Sequence, residues 1–150
     1  MSPFITFHRT WSRHLPAEFG VWDMTQEIEA MVAESGVRHG SVTLQTLGST
    51  AAITTIEFEP GALEDLHRAL ERLAPRDGTY AHNARWGDGN GFSHVRSALL
   101  KTSMALPVVD GALALGTWQQ VVVLNLDNRD RLRDVIGLAL GTGPGPDRRP

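Results

Sequence analysis

Residues Tyr80 to Asp127 read YAHNARWGDGNGFSHVRSALLKTSMALPVVDGALALGTWQQVVVLNLD, and the fold turns on how this run divides. Its first part is polar and glycine-broken: His82 and Asn83, then Asp88-Gly89-Asn90-Gly91, then His94. A short amphipathic segment follows, with a helix expected to start near Ser93. Leu106-Pro107-Val108-Val109 then runs into an Asp110-Gly111 turn, and Gly116-Thr117-Trp118-Gln119-Gln120 leads into the apolar run Val121 to Leu126. Polar and titratable residues are therefore concentrated just ahead of two hydrophobic strands. A loop of this composition held by rigid sheet is where sites are usually built.

Outward from this run, the pattern alternates between period two and period 3.6. Phe4 to Phe7, extending toward Trp11, reads as a first strand, and Pro16 and Gly20 bracket a loop. Asp23 or Thr25 is a cap candidate for a helix with Ile28, Met31 and Val32 on one face and Gly36 as its stop. Strands are expected over Gly40 to Leu47 and Ala51 to Phe58. Leu63, Leu66, Ala69, Leu70 and Leu73 give the clearest helical stripe, over Ala62 to Leu73. A last strand is expected over Leu132 to Leu140, with Arg129, Arg131 and Arg133 near the turn before it. Neighbouring strands joined by tight turns, with two main helices, predict an α+β fold on a mainly antiparallel sheet. One domain spans residues 1–140, and residues 141–150, rich in Gly, Pro and charge, form a mobile tail.

The 150 residues are 41% hydrophobic and 21% charged, enough for one core. A net charge of -3 argues against a nucleic-acid surface. Without cysteine there is no disulfide or thiolate chemistry, and His, Asp and Glu are the available metal ligands. No apolar run reaches the roughly 20 residues of a membrane span, and the first residues carry no basic-then-apolar leader, so the expected compartment is the cytoplasm.

Four features can carry chemistry. His82, His94 and Asp88 can meet around a divalent cation such as zinc or magnesium, or the two imidazoles can serve as an acid/base pair. They can equally hydrogen-bond locally and stabilise the loop. The glycines of Gly89-Asn90-Gly91 allow φ > 0 and expose N–H groups that attract anions; Arg96, Ser97 and Lys101 could complete a phosphate site, and the bland alternative is a plain turn. Ser49 and Thr50, with Glu57 beyond them, form the third feature. In the fourth, Thr117 and Gln119 share one strand face and Trp118 takes the other, so Gln119 is a site candidate and Trp118 core or subunit interface. Trp86 reads as a pocket wall or an interface contact.

At His82-Asn83, Asp88-Gly89-Asn90-Gly91, Ser93-His94-Val95-Arg96-Ser97, Asp110-Gly111 and Leu115-Gly116-Thr117-Trp118-Gln119-Gln120 the chain resembles the YjbQ-type proteins, over nearly its whole length. The resemblance implies a homotrimer, a polar pocket holding His82 and His94, and weak thiamine-phosphate synthase activity on small phosphorylated substrates. Glu57, Ser49 and Thr50 match the family pattern. Two positions depart from it: Gly48 stands where the family carries histidine, and Ile56 where it carries asparagine. A three-histidine site would thereby fall to two, so the alternative is a catalytically decayed trimer that binds a metal or an anion.

Overall fold

A computed structural model describes residues 1–145 of the chain. Five strands form one antiparallel sheet, in the order β1 (Phe4–Leu15), β8 (Arg131–Thr142), β3 (His39–Thr46), β5 (Ser103–Val109) and β6 (Ala112–Leu113). A second antiparallel sheet has β7 (Gln120–Asn125) between β2 (Gly20–Asp23) and β4 (Ala51–Ile56). The chain is thus α+β, as its alternation of patterns predicts. The first and last strands pair over their full length, from Phe4 with Thr142 to Leu15 with Arg131.

Among the described residues four helices accompany the sheets, where two main ones and a further start near Ser93 are expected. In α1 (Thr25–Ser35), Asp23 Oδ1 accepts from the Thr25 N–H and hydroxyl at 3.1 and 2.7 Å, and Gly36 ends the helix at φ 73°. Its apolar side, Ile28, Met31 and Val32, is buried with Val42, Leu44, Val135 and Ala139 of the larger sheet. α2 (Pro60–Leu73) begins two residues earlier than its apolar stripe suggests. Glu59 caps it, its carboxylate accepting from Gly61 N and Ala62 N at 2.7 and 2.8 Å, and Pro60 takes the first turn, where no N–H is needed. Those two backbone bonds hold the Glu59 carboxyl below the usual range. Leu66 and Leu70 of α2 cover Ala52, Val122, Leu124 and Leu126, a second small core on the other sheet.

Two helices lie in the opening stretch. α3 (Ala81–Trp86) is an unforeseen six-residue helix, and α4 (Gly91–Leu100), which begins two residues before the start expected near Ser93, runs from the glycine turn back onto β4, where the Ser97 hydroxyl donates to Ala51 O at 2.5 Å. Asp110 and Gly111, at φ 52° and 81°, turn β5 into β6, the conformation for which an Asp-Gly pair is suited. Gly141 and Thr142, expected in the tail, continue β8 against Ile5 and Phe4. Gly143 N donates to Pro3 O at 3.0 Å, and the last part of the expected mobile tail, 146–150, lies outside the described residues. Among the described residues no helix is long and apolar enough to cross a membrane.

Candidate functional site

The segment between α3 and α4 folds back because its glycines let it. Gly87 and Gly89 take φ 69° and 70°, and Gly91 must lack a side chain: a Cβ there would lie 2.5 Å from Tyr80 Cβ. The hairpin of helices that results sets the His82 and His94 rings in contact, with centroids 4.5 Å apart and planes tilted by 43°. Asp88 Oδ1 lies 3.2 Å from His82 Nδ1. The approach fails the angular requirement of a hydrogen bond, so His82 Nδ1 is buried with no hydrogen-bond partner despite that ionic contact. The Asn90 amide is better satisfied with its nitrogen donating to both Asp88 oxygens, at 3.1 and 3.2 Å, than with that nitrogen 3.4 Å from Asp127 Oδ1.

Behind this pair lies a buried polar network that the initial sequence reading misses. Asp127, 1% exposed, accepts from Thr50 Oγ1 at 3.0 Å, Arg131 Nε at 2.9 Å and Asn128 N at 2.8 Å. Burial alone would raise its pKa, but the hydrogen bonds from Arg131 and Thr50 hold the carboxyl below its ordinary value. Arg133, also buried, donates to Asn125 Oδ1, Thr50 O and Thr50 Oγ1. Asn128 Nδ2 donates to Asp88 O at 3.0 Å and so ties the network to the histidine loop. A signal for Arg133 exists in the sequence: it shares the strand side of Val135, Gly137 and Ala139, the side that faces the core. A charge at such a position is either paired or functional.

The residues proposed for an anion fare differently. Arg96, 3% exposed, is held by three contacts: Nε donates to Ala74 O at 2.9 Å, Nη2 pairs with Glu71, and the guanidinium sits 4.9 Å from the Phe92 ring. Ser97 is buried on Ala51. Both tie α4 to its neighbours and neither can reach a ligand, which corrects their place in a phosphate site. Gly91 N is capped by Asn83 Oδ1 at 2.9 Å, so the start of α4 does not present that N–H. The turn Gly89-Asn90-Gly91 lies beside two carboxylates, Asp88 and Asp127, an environment that repels anions. Thr50 is buried in the network, while Ser49 is exposed.

Glu57 and Gln119 do not join the histidines within one chain. Both lie by the Ile56–Gln120 end of the β4–β7 pair, whereas Thr50 and Asp127 lie by the Ala51–Asn125 end. Five residue steps along a strand separate the ends by about 17 Å. Gln119 is occupied locally, accepting from Gly116 N at 3.0 Å and donating to Thr55 Oγ1 at 3.0 Å. Glu57, Phe58, Trp118 and Gln120 line a shallow cavity of about 450 Å³. Trp118 is 73% exposed and Trp86 69%, so neither ring belongs to the core of the single chain.

Among the described residues no three His, Asp or Glu side chains are arranged to hold a metal ion. His82 Nδ1 and Asp88 Oδ1, at 3.2 Å, could share one edge of a cation's shell, although Asn90 already satisfies the Asp88 oxygens.

Residues 10–142 match the family model described as UPF0047 protein YjbQ-like. A UPF0047 protein of Methanothermobacter thermautotrophicus is 36% identical over 117 residues, covering 78% of this chain and 80% of its own. One from Archaeoglobus fulgidus is 38% identical over 118 residues, 79% and 89% of the two chains. Among solved structures, a YbjQ-like protein of unknown function from Sulfolobus solfataricus superposes with a TM-score of 0.87 at 27% identity, covering 93% of this chain and 99% of that one. A conserved YjbQ/UPF0047 protein from Clostridium acetobutylicum gives 0.80 at 28% identity, over 87% and 98%.

Proposed function

The chain belongs to the UPF0047 family of YjbQ-like proteins, and from that premise we propose that it transforms a small phosphorylated molecule by proton transfer through His82 and His94. The observation that carries this is the ring contact at 4.5 Å with Asp88 beside His82 at 3.2 Å. Two imidazoles in contact beside a carboxylate can take up a proton and hand it on as a substrate reacts. The reaction that the family resemblance implies is of the thiamine-phosphate synthase type: a thiazole phosphate attacks a pyrimidine pyrophosphate, whose pyrophosphate leaves. A general acid beside the leaving group suits that step. The test is turnover of the two substrates by purified protein. His94→Ala and His82→Ala are each expected to lower it by about 10²–10⁴-fold; turnover equal to the parent protein's would overturn the assignment.

A second reading is favoured by the buried His82 Nδ1 that lacks a hydrogen bond. Here His82 and Asp88 would supply two ligands to a divalent cation, zinc or magnesium, with His94 beside them and the rest of the shell from a phosphorylated ligand, whose charge the cation would neutralise. Metal analysis of the purified protein, lost in His82→Ala, supports this reading; a metal-free protein that retains turnover excludes it. For the reading of a decayed enzyme, replacing Gly48 by His is not a restoration. A Cβ at Gly48 would lie 3.1 Å from Arg133 Nη1, on a backbone at φ 129° that side chains rarely adopt. The expected outcome of Gly48→His is lost stability without a gain in metal affinity, read by thermal unfolding and metal titration. The proposed assembly is a homotrimer.

A further inference from the structure

We infer that Arg133 and the turn Gly48-Ser49-Thr50 form a binding site for a small oxyanion, a phosphate or carboxylate group. Arg133 is 5% exposed, yet every partner of its guanidinium is neutral: Asn125 Oδ1 for Nε and Nη2, and Thr50 O and Oγ1 for Nη2. Its one carboxylate neighbour in the network, Asp127, is already bonded by Arg131, Thr50 and Asn128. Two guanidiniums thus stand around one carboxylate, and the more buried of the two has no ion-pair partner among the described residues. A buried charge of this kind is unfavourable unless something neutralises it. In keeping with that, burial draws Arg133 below the ordinary arginine pKa.

The free end of the guanidinium faces Gly48. Nη1 donates to no acceptor among the described residues, and it is the one atom outside Gly48's chain neighbours that a Cβ built at Gly48 would meet within 4 Å. The space over Gly48 is therefore open onto Nη1, and any side chain at that position would close it. Ser49, exposed, carries a hydroxyl engaged by no other residue of the described chain. An oxyanion seated over Gly48 would accept from Arg133 Nη1 and from Ser49, supplying the missing negative charge through charge-assisted hydrogen bonds. Because residue 48 is glycine, no side chain there covers Arg133 Nη1. The inference stands apart from the acid/base reading, because it uses neither imidazole.

The test is calorimetric titration of the full chain with inorganic phosphate and, in a second arm, with acetate, at ionic strength fixed with sodium chloride. Saturable binding of phosphate or acetate is expected, the stronger arm naming the source, and it should persist in His94→Ala. Arg133→Lys and Gly48→Ala are each expected to weaken binding about tenfold or more, the scale of one charge-assisted hydrogen bond. Should either variant fail to fold, Ser49→Ala at its exposed position, and a phosphate-dependent shift of the Arg133 Nε resonance in the parent protein, decide the matter. Binding of neither anion overturns the inference, as does unchanged binding in folded Arg133→Lys or, where that variant is unfolded, an Arg133 resonance indifferent to phosphate.

Discussion

Arg96 and Arg133 are both buried arginines with opposite circumstances. Arg96 has its donors engaged by Ala74, Glu71 and Phe92, and its work is to join α4 to the end of α2. Arg96→Met should therefore leave ligand binding alone and cost about 2–3 kcal/mol in urea unfolding, the scale of a lost charge-assisted bond with a carbonyl left unpaired. Asp127 makes a pH prediction. Its folded-state pKa lies below the unfolded value, so its stabilising effect is complete above pH ~4, the unfolded carboxylate's range, and disappears as pH falls through the lower folded value. Asp127→Asn should flatten the acid limb of a stability-versus-pH curve and, by unbalancing Arg131 and Arg133, destabilise the fold near neutrality by about 3 kcal/mol. An acid limb as steep as the parent's would show that other carboxylates govern it.

Among the elements, those that bury an apolar face in period were legible and those that bury polar groups were not. α1, α2 and the alternating strands announce themselves through Ile28, Met31 and Val32, through Leu66 and Leu70, and through Val42 and Leu44. Of α4 only the start near Ser93 was legible, because its buried side mixes Phe92 with Ser93, Arg96 and Ser97, while Val95 and Leu99 are 40% and 55% exposed. α3 has no buried residue at all and is too short to show a period. β2 is four residues between the expected Pro16–Gly20 loop and the first helix, too short to show a period. The candidate site suffers in the same way: His82 and His94 stand out in the sequence, but the bonds of Asp127 and Arg133 are tertiary, made between segments far apart in the chain. The glycine hinge permits a direct check. Gly91→Ala would push Tyr80 away and loosen the Asn83 cap, costing about 1–3 kcal/mol. It should also separate the imidazoles, seen as loss of the nuclear Overhauser contact between the His82 and His94 rings; a retained contact would show that the loop tolerates a side chain.

At the scale of the whole molecule, the larger sheet covers itself on one side only. Val135 and Ala139 face the core, while Leu132, Ile136 and Leu138 point outward from the same strand, at 52%, 37% and 36% exposure. If the proposed trimer is joined through this face, Leu138→Glu should lower the sedimenting mass from three chains of 16.4 kDa to one, with the circular dichroism spectrum unchanged. A trimer that survives the substitution would move the contact to another surface. The order of the strands has a separate consequence for biosynthesis. β8, the last of the described strands, lies between β1 and β3, the first and third. Until β8 has left the ribosome, β1 has no partner to zip onto and β3 can zip only onto β5. The nascent chain therefore carries bare ribbon edges for as long as it takes to synthesise the stretch between β1 and β8, an interval in which clumping competes with closure.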